Sequence, residues 1–166
     1  MQDESTLVHR EHASTRPFDE VVAAFEAAVG HAEGSSYTAA VAASTGALDF
    51  ERRMHDLEGP SGFMCFKILD HGAWMALAGL KARARLYIIG NPLIAWTMIQ
   101  HDVQVGLNVP VRVLIYEDPH NGACRVAYDL PSSLMARLKN QRVNAAAQAL
   151  DAKLSALAEM VTGTAA

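Results

Sequence analysis

Two histidines and two aspartates stand where the predicted strands and helices end, and these residue types can carry acid–base chemistry. His71 ends an apolar strand, His101-Asp102 ends a helix and Asp129 ends the last strand. An imidazole held by a carboxylate serves as a general base near neutral pH. Because element ends on one edge of a small α+β domain can converge, we predict that His71, His101, Asp102 and Asp129 are candidate catalytic residues. The alternative is structural: a cationic His101 suits a helix C-terminus, and the two aspartates cap turns.

A second candidate site consists of Arg112, Tyr116 and Tyr128, which we predict to line a small-molecule pocket. Arg112 and Tyr116 alternate with apolar residues and therefore share one face of a predicted strand. A guanidinium on such a face can bind an anionic ligand. The alternative is that Arg112 forms an ion pair with an acidic side chain on an exposed sheet face.

The sequence predicts no metal site. Zinc ligands usually occur in pairs at short spacing along a helix or turn. His9 and His12 are three residues apart on a predicted strand, which places them on opposite faces. Haem binding through one histidine leaves no local signature, so a haem or metal held by His71 or His101 with a carboxylate stays an open alternative. The cofactor, if there is one, is unknown from the sequence.

Composition limits the class of protein. The 166 residues are 51% hydrophobic, and we predict a single domain over 1–166 with its core within 6–161. The formal charge of −4 argues against nucleic-acid binding, which needs clustered positive charge. No apolar run approaches the roughly 18 residues of a membrane span, and the N-terminus lacks the features of a secretory signal. We therefore expect a cytoplasmic protein with no membrane partner.

Three helices are predicted to cover a sheet. Pro17 suits a first helical turn, and the apolar stripe after it predicts a helix over 17–30. Asn91 is a favourable N-cap before a helix over 92–102. Apolar residues at steps of three and four predict a long helix over 141–161. These helices are expected on one face of the sheet.

The remaining segments complete a predicted order of β-α-α-β-β-α-β-β-α. Alternating residues over 107–117 and a turn after them predict a hairpin with 124–130. The segment 37–58 is predicted to be a helical insertion of one or two short helices, which either closes over a pocket as a lid or pads the core. Residues 162–166 are expected to form a frayed tail. The predicted fold class is a two-layer α+β domain with a mainly antiparallel sheet.

Four sequence segments point to a known family. They are Phe18-Asp19-Glu20-Val21-Val22 after the opening strand, the turn Ile89-Gly90-Asn91-Pro92, the strand 109–118, and Tyr128-Asp129-Leu130-Pro131-Ser132-Ser133-Leu134. In these segments the chain resembles the bacterial family called domain of unknown function 302, over roughly 6–160 and least well between 35 and 60. The resemblance implies a fold similar to that of the TATA-box-binding protein, with helices on one face of the sheet, and frequent pairing as a homodimer. It implies no catalytic residues.

These observations predict a bacterial protein that acts as a small-ligand-binding or sensing module and forms a homodimer. Two alternatives stay open. One is an enzyme, or a haem or metal protein, that uses His71, His101 and Asp102. The other is a structural interaction module whose apolar helical seam binds another chain.

Overall fold

Six strands form one sheet in the computed structural model, which describes residues 4–164. The sheet order is β1-β6-β5-β4-β3-β2, and every neighbouring pair is antiparallel except β2 and β3, which are parallel. The strands are β1 (His9–Ser14), β2 (Gly30–His31), β3 (Met64–Asp70), β4 (Ala84–Gly90), β5 (Val111–Glu117) and β6 (Cys124–Asp129).

Seven α-helices occur among the described residues, so the predicted mixed α+β class with a mainly antiparallel sheet is confirmed. They are α1 (Phe18–Ala28), α2 (Ser36–Ala43), α3 (Ala47–Leu57), α4 (His71–Leu77), α5 (Pro92–Ile99), α6 (Pro131–Met135) and α7 (Gln141–Thr162). Two short 3₁₀ segments, Val103–Leu107 and Ala136–Leu138, follow α5 and α6.

The main core lies between one face of the sheet and three helices, because alternate residues of the central strands are apolar. Tyr87, Val113 and Ile115 point to this side and are buried. Helices α1, α5 and α7 supply the opposing apolar side chains, such as Phe25 and Leu154. This arrangement matches the prediction that the helices near 17–30, 92–102 and 141–161 cover the sheet.

The other face of the sheet is partly exposed. Four neighbouring strands each place one apolar residue directly beside the next across this face: Leu69, Leu86, Leu114 and Ala127. Leu86 and Leu114 are half-buried and Leu69 is exposed. We call these four residues the leucine row, because they form an apolar band across this open face.

Helices α2 and α3 cover the sheet edge formed by β2 and β3. A second, smaller core forms there from Ala32, Met54 and Met64. No residue of α2 is buried, and Met54 is the one buried residue of α3. These two helices are therefore held by fewer apolar contacts than α1 or α7.

The predicted order of elements is incomplete. It omits β2, α4 and α6, because elements of two, seven and five residues are too short to show a periodic pattern. It also has one helix where the structure has two, α2 and α3. The helix predicted to end at 102 ends at Ile99. Helix α7 extends to Thr162, one residue into the predicted tail, and the last two residues of that tail lie outside the described residues.

No described helix is both long enough and apolar enough to cross a lipid bilayer.

Candidate functional site

An apolar cleft of about 960 Å³ lies between the α2–α3 pair, helix α5 and the segment that leads into β5. Ligand pockets in proteins usually measure about 300–1,000 Å³ and are mostly apolar. The cleft is lined by three groups of residues: Tyr37, Ala47, Phe50 and Glu51 from α2–α3; Asn91, Pro92, Leu93, Ile94, Ala95, Trp96, Met98 and Ile99 from the α5 region; and Phe63, Phe66, Gly90, Val109, Pro110, Val111 and Leu150 from the strands, the residues just before them and α7.

The roof of the cleft is formed by α2 and α3. The Tyr37 ring meets Phe66 edge-on, with ring centroids 5.1 Å apart and planes at 85°. Phe50 packs against the small core beneath α3. The segment that the sequence predicted as either a lid or core padding therefore lies over a cavity and contributes aromatic rings to it.

A buried asparagine fastens the roof to the floor. Asn91 is 6% exposed and caps α5, where its Oδ1 accepts a hydrogen bond from the Leu93 amide at 2.9 Å. Its Nδ2 donates to Glu58 Oε2 at 2.6 Å and to the Gly62 carbonyl at 2.9 Å. Because Glu58 directly follows α3, one side chain links the roof to the start of α5.

The floor of the cleft depends on the missing side chain of Gly90. A Cβ at this position would lie 3.2 Å from Pro110 Cβ and 3.4 Å from Phe66 Cε2. Both distances are at or below ordinary van der Waals contact. Glycine at the end of β4 therefore leaves room between Phe66 and Pro110.

Few polar groups face the cleft. The hydrogen-bonding atoms of Asn91 are already engaged with Leu93, Glu58 and Gly62. Glu51 has one distant partner, His55 Nε2 at 3.9 Å. Tyr37 also lines the cleft, and Trp96, which lines it too, is 61% exposed. The cleft thus offers apolar surface with a carboxylate, a phenol and an indole.

The four predicted catalytic residues make separate local contacts. His71 accepts a hydrogen bond from Trp74 Nε1 at 3.0 Å. His101 uses its carbonyl to accept from Asn140 at 3.3 Å, and Asp102 caps the following 3₁₀ segment through the Gln104 amide at 2.9 Å.

The fourth of these residues, Asp129, lies 2.9 Å from His9 Nδ1. His71, His101, Asp102 and Asp129 share no hydrogen bond in the described part of the chain, and none of them lines the cleft.

The second predicted site is divided between the two faces of the sheet. Arg112 and Tyr116 lie on the open face, as their alternation predicted, and Tyr128 lies on the helix-covered face. The Tyr116 hydroxyl donates to Glu11 Oε2 at 2.5 Å. Burial and this hydrogen bond raise the pKa of Tyr116 to about 12.

Tyr128 is 4% exposed, and burial raises the pKa of its phenol. Its hydroxyl lies 3.2 Å from His12 Nε2, and the two rings stack with centroids 5.8 Å apart. Neither Arg112, Tyr116 nor Tyr128 lines the cleft.

Residues 4–164 contain no group of three or more His, Cys, Asp and Glu side chains placed to bind a metal ion. Cys65 and Cys124 are free and buried. Burial raises the pKa of each thiol to about 11.

No chemical motif marks the cleft in the sequence, because its lining is mainly apolar. Its sequence signals were indirect: aromatic residues in an alanine-rich insertion, and a glycine before the capped helix α5. Apolar residues of this kind are more often core, and only the position of the roof leaves a cavity between them.

Comparisons with known proteins agree on one family. A model described as "Domain of unknown function DUF302" matches residues 37–161. The fold is similar to the crystal structure of an uncharacterised conserved protein, DUF302, from Bacillus stearothermophilus, with a TM-score of 0.65 and 14% identity, covering 91% of this chain and 95% of that chain. At this identity the likeness shows the fold alone. No curated protein matches the chain.

Proposed function

This chain belongs to the DUF302 family, as its sequence features predicted, and from that premise we propose that it is a small-ligand-binding module whose site is the cleft under α2 and α3. The single observation that carries the proposal is the apolar cavity of about 960 Å³ with aromatic walls. Burial of apolar ligand surface in such a cavity is favourable by roughly 25 cal/mol per Å².

A sensing role follows from the way the roof is held. Of all the residues in α2 and α3, only Met54 is buried. These two helices can therefore move with a smaller loss of packing than α1 or α7. A ligand that contacts both Phe50 in the roof and Ile94 in α5 stabilises the closed position. Ligand binding in the cleft therefore reduces the motion of α2 and α3 and changes the surface that these helices present.

The test uses Trp96 as a reporter, because it lines the cleft and is one of two tryptophans. In the full chain with Trp74→Phe, emission from Trp96 is titrated with 4-phenylbutan-1-ol, a compound with an aromatic ring and a short alkyl chain. We expect a saturable change in emission. Ala95→Phe, which adds a ring to the lining, should weaken binding by about tenfold or more.

The matched control is Ala152→Phe, an addition of the same ring at an exposed position of α7 outside the cleft. It should bind the alcohol as the Trp74→Phe protein does. No saturable change up to the solubility limit of the alcohol, or equal weakening by both phenylalanines, contradicts the proposal.

We further propose that the protein acts as a homodimer through the leucine row on its open face. An isologous dimer places the same apolar band on both partners, and Leu69 in this band is exposed. Sedimentation velocity over a range of concentrations tests this. A dimer that becomes a monomer with Leu114→Glu supports the proposal, and a wild-type monomer at high concentration contradicts it.

A further inference from the structure

One charged side chain at the cleft, that of Glu51, restricts the chemical class of the ligand. We infer that the cleft selects an amphiphile with an aromatic or alkyl body and a neutral or cationic head group, and that Glu51 discriminates against anionic ligands. This inference rests on the proposed ligand-binding function of the same cleft and adds the chemical class of the ligand.

The body of the ligand is defined by the aromatic lining. Rings from Phe50, Phe63, Phe66 and Trp96 reach the cavity from the roof, the sheet and α5. Aromatic side chains favour offset or edge-on contacts with another ring, in addition to the burial of apolar area. A phenyl ring with an alkyl chain matches this lining better than a polar metabolite does, because the walls offer few hydrogen-bond partners.

The head group is defined by Glu51. Of the described residues that line the cleft, Glu51 is the one with a charged side chain. It is exposed and only loosely paired with His55 Nε2 at 3.9 Å, so it lies where the cleft meets solvent. A cationic head at this position gains an ion pair, a hydroxyl can donate a hydrogen bond to the carboxylate, and an anionic head is repelled.

The cations near this helix are engaged elsewhere. Arg53 Nε lies 3.0 Å from Asp49 Oδ2, and Arg52 binds the other oxygen of the same carboxylate at 2.5 Å. Neither arginine lines the cleft. Lys153 approaches the wall from outside, with its Nζ 5.9 Å from the centroid of the Phe63 ring. Lys153 is therefore the cation that could reverse the selectivity, and it is included in the test.

The experiment compares three probes that share one skeleton: 4-phenylbutan-1-amine, 4-phenylbutan-1-ol and 4-phenylbutanoate. Calorimetric titration of the full chain at neutral pH and low salt should rank them amine, alcohol, carboxylate, with about fivefold or more between the first and last. Glu51→Gln should reduce this ratio to near one. Asp56→Asn removes the same charge from the same helix outside the lining and should keep the ranking.

The possible results separate the two proposals. If none of the three probes binds, the ligand-binding function and this inference both fail. If the probes bind in the cleft but the carboxylate binds as tightly as the amine or more tightly, the inference alone is overturned. A preference for the carboxylate that Lys153→Gln removes would identify an anion site instead.

Discussion

At the scale of single residues, burial controls the chemistry of the two thiols. Cys65 and Cys124 each have a pKa of about 11, because burial disfavours the thiolate. We predict that a thiol reagent such as DTNB at pH 8 labels neither in the folded protein, with rates at least about 100-fold below that of a free cysteine. Both should react in denaturant. One fast-reacting thiol in the native protein would contradict this account of their environment.

Glu11 on the open face should make stability depend on pH. The hydrogen bond from Tyr116, followed by the contact with Arg125, lowers the pKa of Glu11 in the folded state. A carboxyl group with a lowered folded-state pKa stabilises the protein above its unfolded pKa of about 4.3, and this contribution disappears as the pH falls through the folded value.

We therefore predict that Glu11→Gln lowers the free energy of unfolding by about 1 kcal/mol at pH 7. The difference from wild type should shrink as the pH falls below about 4. Urea unfolding at several pH values measures this difference, and Glu33→Gln at an exposed position between β2 and α2 is the control. A difference that is constant from pH 7 to pH 3 would show that Glu11 acts without its charge.

At the scale of elements, the side chain of Asn91 links the end of α3 to the start of α5 by hydrogen bonds to Glu58 and Leu93. In Asn91→Asp the cap on Leu93 is retained, but the new carboxylate replaces the amide that donates to Glu58 Oε2 at 2.6 Å. Repulsion between the new carboxylate and that of Glu58 raises the pKa of this pair in the folded state. The variant is therefore destabilised at pH values above the raised pKa, and protonation relieves this destabilisation as the pH falls. His55, which lies 2.8 Å from Glu58 Oε1, reduces this repulsion when it is protonated.

We expect Asn91→Asp to lower the free energy of unfolding by about 2 kcal/mol at pH 7, and we expect this loss to diminish toward pH 5. Asn140→Asp is the matched control, because Asn140 caps α7 and its side chain contacts backbone groups only. That variant should show no such recovery. Chemical unfolding of both proteins across this pH range distinguishes the two cases, and parallel curves would contradict the role assigned to Asn91.

The roof helices should be less stable than α7, which also borders the cleft. Few of their residues are buried, while α7 has eight buried residues. We predict that amides of α2 and α3 exchange with deuterium faster than those of α7, and that saturating 4-phenylbutan-1-ol slows exchange in α2 and α3 more than in the hairpin β5–β6. Equal protection of α2, α3 and α7 without ligand would contradict a movable roof.

The elements differ in how well the sequence predicts them. The alternation of Val111, Val113 and Ile115 and the cap at Asn91 depend on local chemistry, so the end of β5 and the start of α5 were correctly predicted. The strand was predicted to begin at 107 but begins at Val111, because a 3₁₀ segment extends to Leu107. Strand β2 has two residues and exists because Gly30 can lie against the backbone after α3, where a Cβ would meet the Leu57 carbonyl. Such a contact depends on tertiary packing, and no local pattern encodes it.

At the scale of the whole molecule, the family and the mixed α+β fold follow from the sequence, and the candidate site does not. The polar residues that the sequence predicts as site candidates, such as His71, Asp129 and Arg112, make separate local contacts in the fold and do not line the cleft. The cleft forms between the α2–α3 pair, in which only Met54 is buried, helix α5 and the segment that leads into β5. Its residues, such as Phe66 and Ile94, have the composition of a core, so their exposure to a cavity requires the assembled structure.

Several expectations about the whole molecule stay predictions. They include the cytoplasmic location, the absence of nucleic-acid binding and the likeness to the TATA-box-binding protein. The homodimer is also a prediction. It can be tested independently of ligand binding, because the leucine row on the open face and the cleft are separate surfaces.

The most direct test of the ligand site is an NMR measurement of intermolecular nuclear Overhauser effects with 4-phenylbutan-1-ol at saturation. The account predicts contacts from the phenyl protons to the rings of Phe66 and Trp96 and to the methyl groups of Ile94. Contacts to Tyr116 and its neighbours on the open face would place the ligand elsewhere. The complete absence of intermolecular contacts in a saturated sample would contradict the cleft as a binding site.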